Sequence, residues 1–357
     1  MEYFKKYERV YKPLCYILII FLLICFFFNK NIKNSFLNVI NIFKSNNKVI
    51  KIEVKMYKED KLRGPAHFLK GITKILPYKN DKCIFISNDN LNPLNVSNES
   101  DYFFLPYETM MSEESFDEWI KVGKVNKLII GPMFVPSNWF NFPNKKYWKE
   151  RNYRKPVSLV KRMAVHSVRI KNYLTKRANI TDLDHKYVNL RACTNLRPKY
   201  VKPFKDRTID IIFFEKYADS NRRQQGKELF NLLNSKKKVE KLIYGLYNKE
   251  IMMRLANNTK FIVYFSFYDT GAIGLKEIQN FGVYAFSLQK DLAFDNETSS
   301  YIPELEELDM KKAYQKIIKK IDDLTRKNPN SEYFAKINQD YTKCENVYED
   351  LCNSLLK

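Results

Sequence analysis

Glycine is scarce in this chain, with nine in 357 residues beside 13 prolines, which excludes a fibrous or low-complexity protein. Histidine is rarer still, at three, and the six cysteines show no spacing that resembles a zinc site. No motif that reads RNA or DNA occurs, and the lysines are spread along the chain instead of forming one basic arm. No nucleic-acid partner is therefore expected. Acidic residues are also in short supply: 40 Asp and Glu face 62 Lys and Arg, a formal net charge of +22. That surplus suits an anionic membrane surface or phosphate-bearing substrates. A compositional bias toward Lys, Asn, Ile, Phe and Tyr accounts for it equally well.

Apolar material is plentiful. Hydrophobic residues make up 45% of the chain, with 26 Phe and 24 Tyr, so one large core or two of ordinary size can be built. Residues 13–28, PLCYILIIFLLICFFF, carry no charge. Lys5, Lys6, Arg9 and Lys12 precede this run, and Lys30 and Lys33 follow it. The run is short for a spanning helix but long enough for a thin endomembrane. A cleaved signal peptide would need small residues after the apolar run, and here three Phe lead straight into Asn29. The expectation is an uncleaved anchor over 13–28, a cytosolic tail over 1–12 and a polar stem over 29–49. The body would then be lumenal, in a single-pass type II protein of the Golgi or ER. N-x-S/T sequons at Asn95, Asn98, Asn179, Asn257 and Asn296 permit a lumenal glycoprotein. Cys15 and Cys25 lie in the anchor, leaving Cys83, Cys193, Cys344 and Cys352 in the body. Cys344 and Cys352 are near enough in sequence to be bridged, although a helix there would hold them apart.

From residue 49 onward, strand and helix signals alternate. Strand patterns fall at 49–57, 83–87, 102–105, 127–130 and 162–166. Helical spacing falls at 64–76, 114–123 and 168–177. The stretch 194–207, with two prolines and no apolar periodicity, separates this half from a second. There the alternation restarts: strands at 209–214, 241–244, 261–265 and 284–287, helices at 223–233, 248–256, 272–280 and 310–327. The expected domains are 50–200 and 201–330, followed by a helical segment over 331–357. Such alternation implies parallel sheets covered on both faces, with ligands at the carboxyl ends of the strands.

The most informative stretch is 261–287, FIVYFSFYDTGAIGLKEIQNFGVYAFS. A buried-type strand runs into Asp269, Thr270 and Gly271, and a helix begins near Gly274 and carries Glu277. Glycines at a strand-to-helix turn let a ligand approach the backbone, and free helix N–H groups suit a phosphate. An acidic residue, seven intervening residues and a Glu resemble the retaining GT-B glycosyltransferases of the glycosyl-transferases-group-1 class. Asp269 and Glu277 have that spacing, with Asp in place of the more usual first Glu. The resemblance implies that Asp269 contacts the donor sugar and Glu277 the nucleotide ribose. It further implies a basic pair after the first strand of the second domain, for which Lys216 with Arg222 or Arg223 qualifies. Gly64 resembles the loop glycine of the first domain, with Pro65 in place of a second glycine.

The fold so implied is α/β and GT-B-like: two Rossmann-like domains facing a cleft, preceded by a single transmembrane helix. The implied reaction moves a sugar from a nucleotide-sugar donor to a glycan, protein or lipid acceptor, with retention and without a metal. His166, ending a strand where it could line the cleft, joins Asp269 as a candidate catalytic residue. Asp182-Leu183-Asp184 has the D-x-D form of metal-dependent transferases but follows a polar run where a hydrophobic strand should stand. An inverting fucosyltransferase-like enzyme of the same fold, or an inactive binding protein built on it, is the alternative. The fucosyltransferase reading lacks the Glu-Asn-Ser and Thr-Glu-Lys elements it needs.

Overall fold

The computed structural model describes residues 49–56, 63–106, 113–133, 152–216, 220–266, 271–288 and 297–357, together with Ile17, which is helical and exposed. The expected anchor over 13–28 otherwise lies outside the described residues, among which no helix is long and apolar enough to cross a membrane. The chain separates into two compact units, Met1–Val49 and Ile50–Lys357, and all that follows concerns the second.

The first sheet has the order β2-β3-β1-β4-β5-β6-β7, built from β1 (Ile50–Lys55), β2 (Tyr78–Lys79), β3 (Cys83–Asn88), β4 (Tyr102–Leu105), β5 (Leu128–Met133), β6 (Arg162–Val165) and β7 (Tyr187–Asn189). All pairings are parallel except that of the edge strand β2 with β3. Side chains alternate across the pleat, and each face receives its own helices. Phe103, Leu105, Leu128 and Ile130 point to one face, where α2 (Glu113–Lys121), α3 (Arg154–Leu159) and α4 (Val168–Arg177) supply Phe116, Trp119, Val157 and Leu174. Ile52, Val54, Phe104 and Ile129 point to the other, where α1 (Arg63–Thr73) supplies Phe68, Leu69 and Ile72. Helix α4 starts at Ser167, whose hydroxyl accepts a hydrogen bond from the Ile170 N–H, the usual use of serine at a helix N-cap.

The second sheet has the order β12-β11-β10-β8-β9 and is parallel throughout, from β8 (Ile209–Lys216), β9 (Val239–Ile243), β10 (Thr259–Ser266), β11 (Tyr284–Ser287) and β12 (Ser299–Tyr301). Helices α5 (Ser220–Asn234) and α9 (Met310–Lys327) cover one face, and α6 (Lys249–Asn258) with α7 (Ile273–Gln279) covers the other. Gly226 lets α5 lie close to β10, since a Cβ there would stand 3.1 Å from the Phe265 ring. Arg207 is buried beneath this sheet and donates to the carbonyls of Lys202, Thr259 and Phe281. Burial holds its pKa at about 10, below the ordinary arginine value.

The chain then turns through α8 (Pro303–Glu306), α10 (Ser331–Tyr341) and α11 (Glu345–Leu355). Helix α11 does not stay with the second sheet. Its Val347, Tyr348 and Leu351 pack into the first domain's core beside Ile52, Phe85 and Phe104. Two disulfides fasten it there, Cys83–Cys352 and Cys193–Cys344. The local Cys344–Cys352 bridge considered from sequence is thus replaced by two long-range ones. The helix between those residues separates them by about two turns, too far for a disulfide.

Candidate functional site

In the second sheet, β9 lies to one side of β8 while β10, β11 and β12 lie to the other. The order therefore reverses between β8 and β10, the place where sheets of this kind open a crevice beyond the carboxyl ends of their strands. The register sets Lys216 beside Ser266 at that edge. Asp269 and Thr270 follow β10 in the sequence and lie outside the described residues. The chain reappears at Gly271, which is buried against the first domain. A Cβ on it would stand 3.1 Å from His166 Cδ2 and 3.1 Å from Ala192 Cβ. Ala272 comes next in the left-handed region, at φ 46°, a conformation that costs a non-glycine residue about 1 kcal/mol.

His166 follows β6 at the carboxyl edge of the first sheet and is buried. Its Nδ1 lies 2.9 Å from the Leu190 carbonyl oxygen. A carbonyl only accepts, so Nδ1 carries a proton in this contact. The Phe68 ring meets the imidazole edge-on at a centroid distance of 5.0 Å and fixes its plane. Two sequence candidates from different domains, His166 and Gly271, are therefore in contact.

Glu277 is buried on α7, and its Oε1 accepts from Lys249 Nζ at 2.8 Å and from Thr194 Oγ1 at 3.2 Å. Lys249 and Thr194 have no sequence signature: one belongs to a common surface type, the other to the proline-bearing connection between domains. Gly274 leaves room at α7 for Tyr247 and Phe214, with the Tyr247 hydroxyl 3.4 Å from where its Cβ would be. Neighbouring Lys276 is buried with its ammonium 5.1 Å from the Tyr341 ring centroid.

Lys216 extends over the Tyr244 ring, 4.5 Å from its centroid, while Arg222 and Arg223 occupy the first turn of α5. Arg223 also lines a cavity of 690 Å³ with Lys227, Lys241, Glu215, Phe230 and Tyr244. Gly64 falls in the first turn of α1, on the first domain's side. The D-x-D pair is occupied otherwise: Asp182 and Asp184 sit on a short 3-10 helix and pair with Arg154 and Lys171. Among the described residues, no group of three or more His, Cys, Asp or Glu could hold a metal ion.

No protein-family model matches the sequence, and no curated protein matches it. Solved structures do. The apo form of the lipopolysaccharide outer core galactosyltransferase WaaB superposes with a TM-score of 0.50 at 8% identity, over 86% of this chain and 99% of that one. The fold is GT-B-like. The catalytic domain of starch synthase IV from Arabidopsis thaliana, bound to ADP and acarbose, aligns over 87% of this chain and 99% of its own, at 8% identity and a TM-score of 0.47. Aligned too is a mutant of S. aureus TarM in complex with fondaparinux, alpha-GlcNAc-glycerol and UDP, at 12% identity and a TM-score of 0.47 over 72% of this chain. This chain spans 56% of TarM's length.

Proposed function

We propose that this GT-B-like chain is a membrane-anchored glycosyltransferase that moves a sugar from a nucleotide-sugar donor to a glycan, protein or lipid acceptor with retention of configuration. The observation that carries the reading is the contact between His166 of the first domain and Gly271 of the second, at the carboxyl ends of both sheets. In this reading the donor diphosphate lies at the mouth of β8, against Lys216 and the arginines at the start of α5. Their positive charge stabilises the negative charge that develops on the departing diphosphate, so the chemistry proceeds without a metal. Glu277 accepts hydrogen bonds from the ribose, Asp269 contacts the transferred sugar, and the His166 imidazole bonds a sugar hydroxyl. The glycosyltransferase fold shared with WaaB agrees with this assignment.

Membrane attachment rests on the apolar run 13–28. A lumenal body of a type II protein, in the Golgi or ER, draws support from the two disulfides, because such bonds persist in oxidising compartments. Detergent-solubilised full-length protein incubated with labelled UDP-, GDP- and ADP-sugars tests the activity. Transfer or slow donor hydrolysis is expected from the natural protein and a loss of at least tenfold from Glu277→Ala, in line with one buried charged hydrogen bond. The anomeric configuration of the product, read by NMR, tests retention. A protein that neither binds nucleotide nor turns over any donor is not a glycosyltransferase.

A further inference from the structure

The carboxylate of Glu277 is held by one oxygen only. Both of its partners, the Lys249 ammonium and the Thr194 hydroxyl, fall on Oε1, and among the described residues none falls on Oε2. Two donors fill the two lone pairs of Oε1. They come from separate elements, the start of α6 and the connection between domains, and converge on a side chain that is only 6% exposed.

Both partners are themselves fixed. Thr194 Oγ1 accepts from the Leu196 N–H at 3.1 Å, its own N–H donates to the Thr342 carbonyl, and the preceding residue is locked in the Cys193–Cys344 disulfide. Lys249 is the first residue of α6, directly after the Asn248 N-cap. A cation there opposes the helix dipole, which favours anions at that end, so the helix itself does not account for the position.

We infer that Lys249 and Thr194 are positioning residues that pin Glu277 through Oε1, so that Oε2 is presented in one fixed direction as the acceptor for the ribose hydroxyls. This rests on the assignment of Glu277 to the ribose made above. Pinning removes the rotamer freedom that Glu277 would otherwise lose on binding, and it directs the site toward ribonucleotides.

The test measures binding of UDP, ADP and GDP to the full-length protein by calorimetry. It then compares the tightest with its 2′,3′-dideoxy analogue. The natural protein is expected to favour the ribonucleotide by about tenfold, the worth of a charged hydrogen bond. Lys249→Met is expected to bring that ratio close to one, Thr194→Val to lower it part of the way, and Lys249→Arg to keep it. A merely structural ion pair would lower the affinity for both nucleotides together and leave the ratio unchanged in both variants, which would overturn the inference. If Lys249→Met does not fold, Thr194→Val and Lys249→Arg still decide it by the same ratio. Equal binding of ribo and dideoxy forms by the natural protein, or no binding of any of the three, overturns the ribose assignment of Glu277 and this inference with it.

Discussion

Gly71 on α1 lies directly against the Cys193–Cys344 disulfide, and a Cβ built on it would stand 2.7 Å from Cys344 Sγ. The glycine is what allows the helix to lie on the bridge. Gly71→Ala is expected to destabilise the protein by about 1–3 kcal/mol through overpacking, in spite of alanine's better helix propensity. Thermal unfolding measures this, and a melting temperature equal to that of the natural protein would show that the bridge can shift at no cost.

The disulfide pairing gives a second prediction. Non-reducing proteolysis and mass spectrometry should recover the Cys83 peptide joined to Cys352 and the Cys193 peptide joined to Cys344. The bridges close segments separated by 269 and 151 residues. In the chain-entropy picture, loops this long are worth about 5 kcal/mol each as an upper figure. Reductant should therefore lower the melting temperature sharply. Recovery of a Cys344–Cys352 peptide would contradict the fold of the C-terminal segment.

Gly282 ends the turn after α7 at φ +73°, and a Cβ there would come within 2.0 Å of the Ser331 carbonyl oxygen. Gly282→Ala meets both a left-handed backbone and a rigid neighbour. A loss of more than about 2 kcal/mol is expected in chemical denaturation. Gly123 offers a control: it too has positive φ, at +69°, but nothing lies within 4 Å of its Cβ position. Gly123→Ala should therefore be milder.

The sequons separate by surroundings. Asn95, Asn98 and Asn179 are exposed, whereas Asn257 is half-buried and its Oδ1 accepts from the Lys202 N–H at 2.9 Å. If the body is lumenal, glycopeptide mapping in a secretory host should find glycans among the first three and none at Asn257. A body bearing no glycan at any of them would speak against the lumenal assignment.

Much of the fold was legible because its strands are buried on both faces and read as dense apolar runs. The run FIVYF within β10 is one case, and the helix over 168–177 coincides with α4. One boundary moved where polar residues end a strand inside the sheet: β8 continues through Glu215 and Lys216 because β10 pairs with both. The strands β2, β7 and β12 were missed, since two or three residues at a sheet edge carry no periodicity. Helix α3 was missed for a related reason, its six residues being too few to display a face.

Of the candidate site, His166 is expected to end the strand 162–166, and it stands one residue beyond β6. The partner of its Nδ1, the Leu190 carbonyl, lies 24 positions away and leaves no local trace. The same holds for Glu277, found by its spacing from Asp269, whose partners Lys249 and Thr194 come from other elements. Cysteine pairing was misjudged because proximity in sequence was all that could be seen, and the correct partners meet only once α11 has crossed to the first domain.

That crossing reaches into the making of the protein. The first domain's core is completed by Val347, Tyr348 and Leu351, residues synthesised after the whole of the second sheet. The native partners of Cys83 and Cys193 are synthesised 269 and 151 residues after them. The domain begun first is completed only after the second has been made.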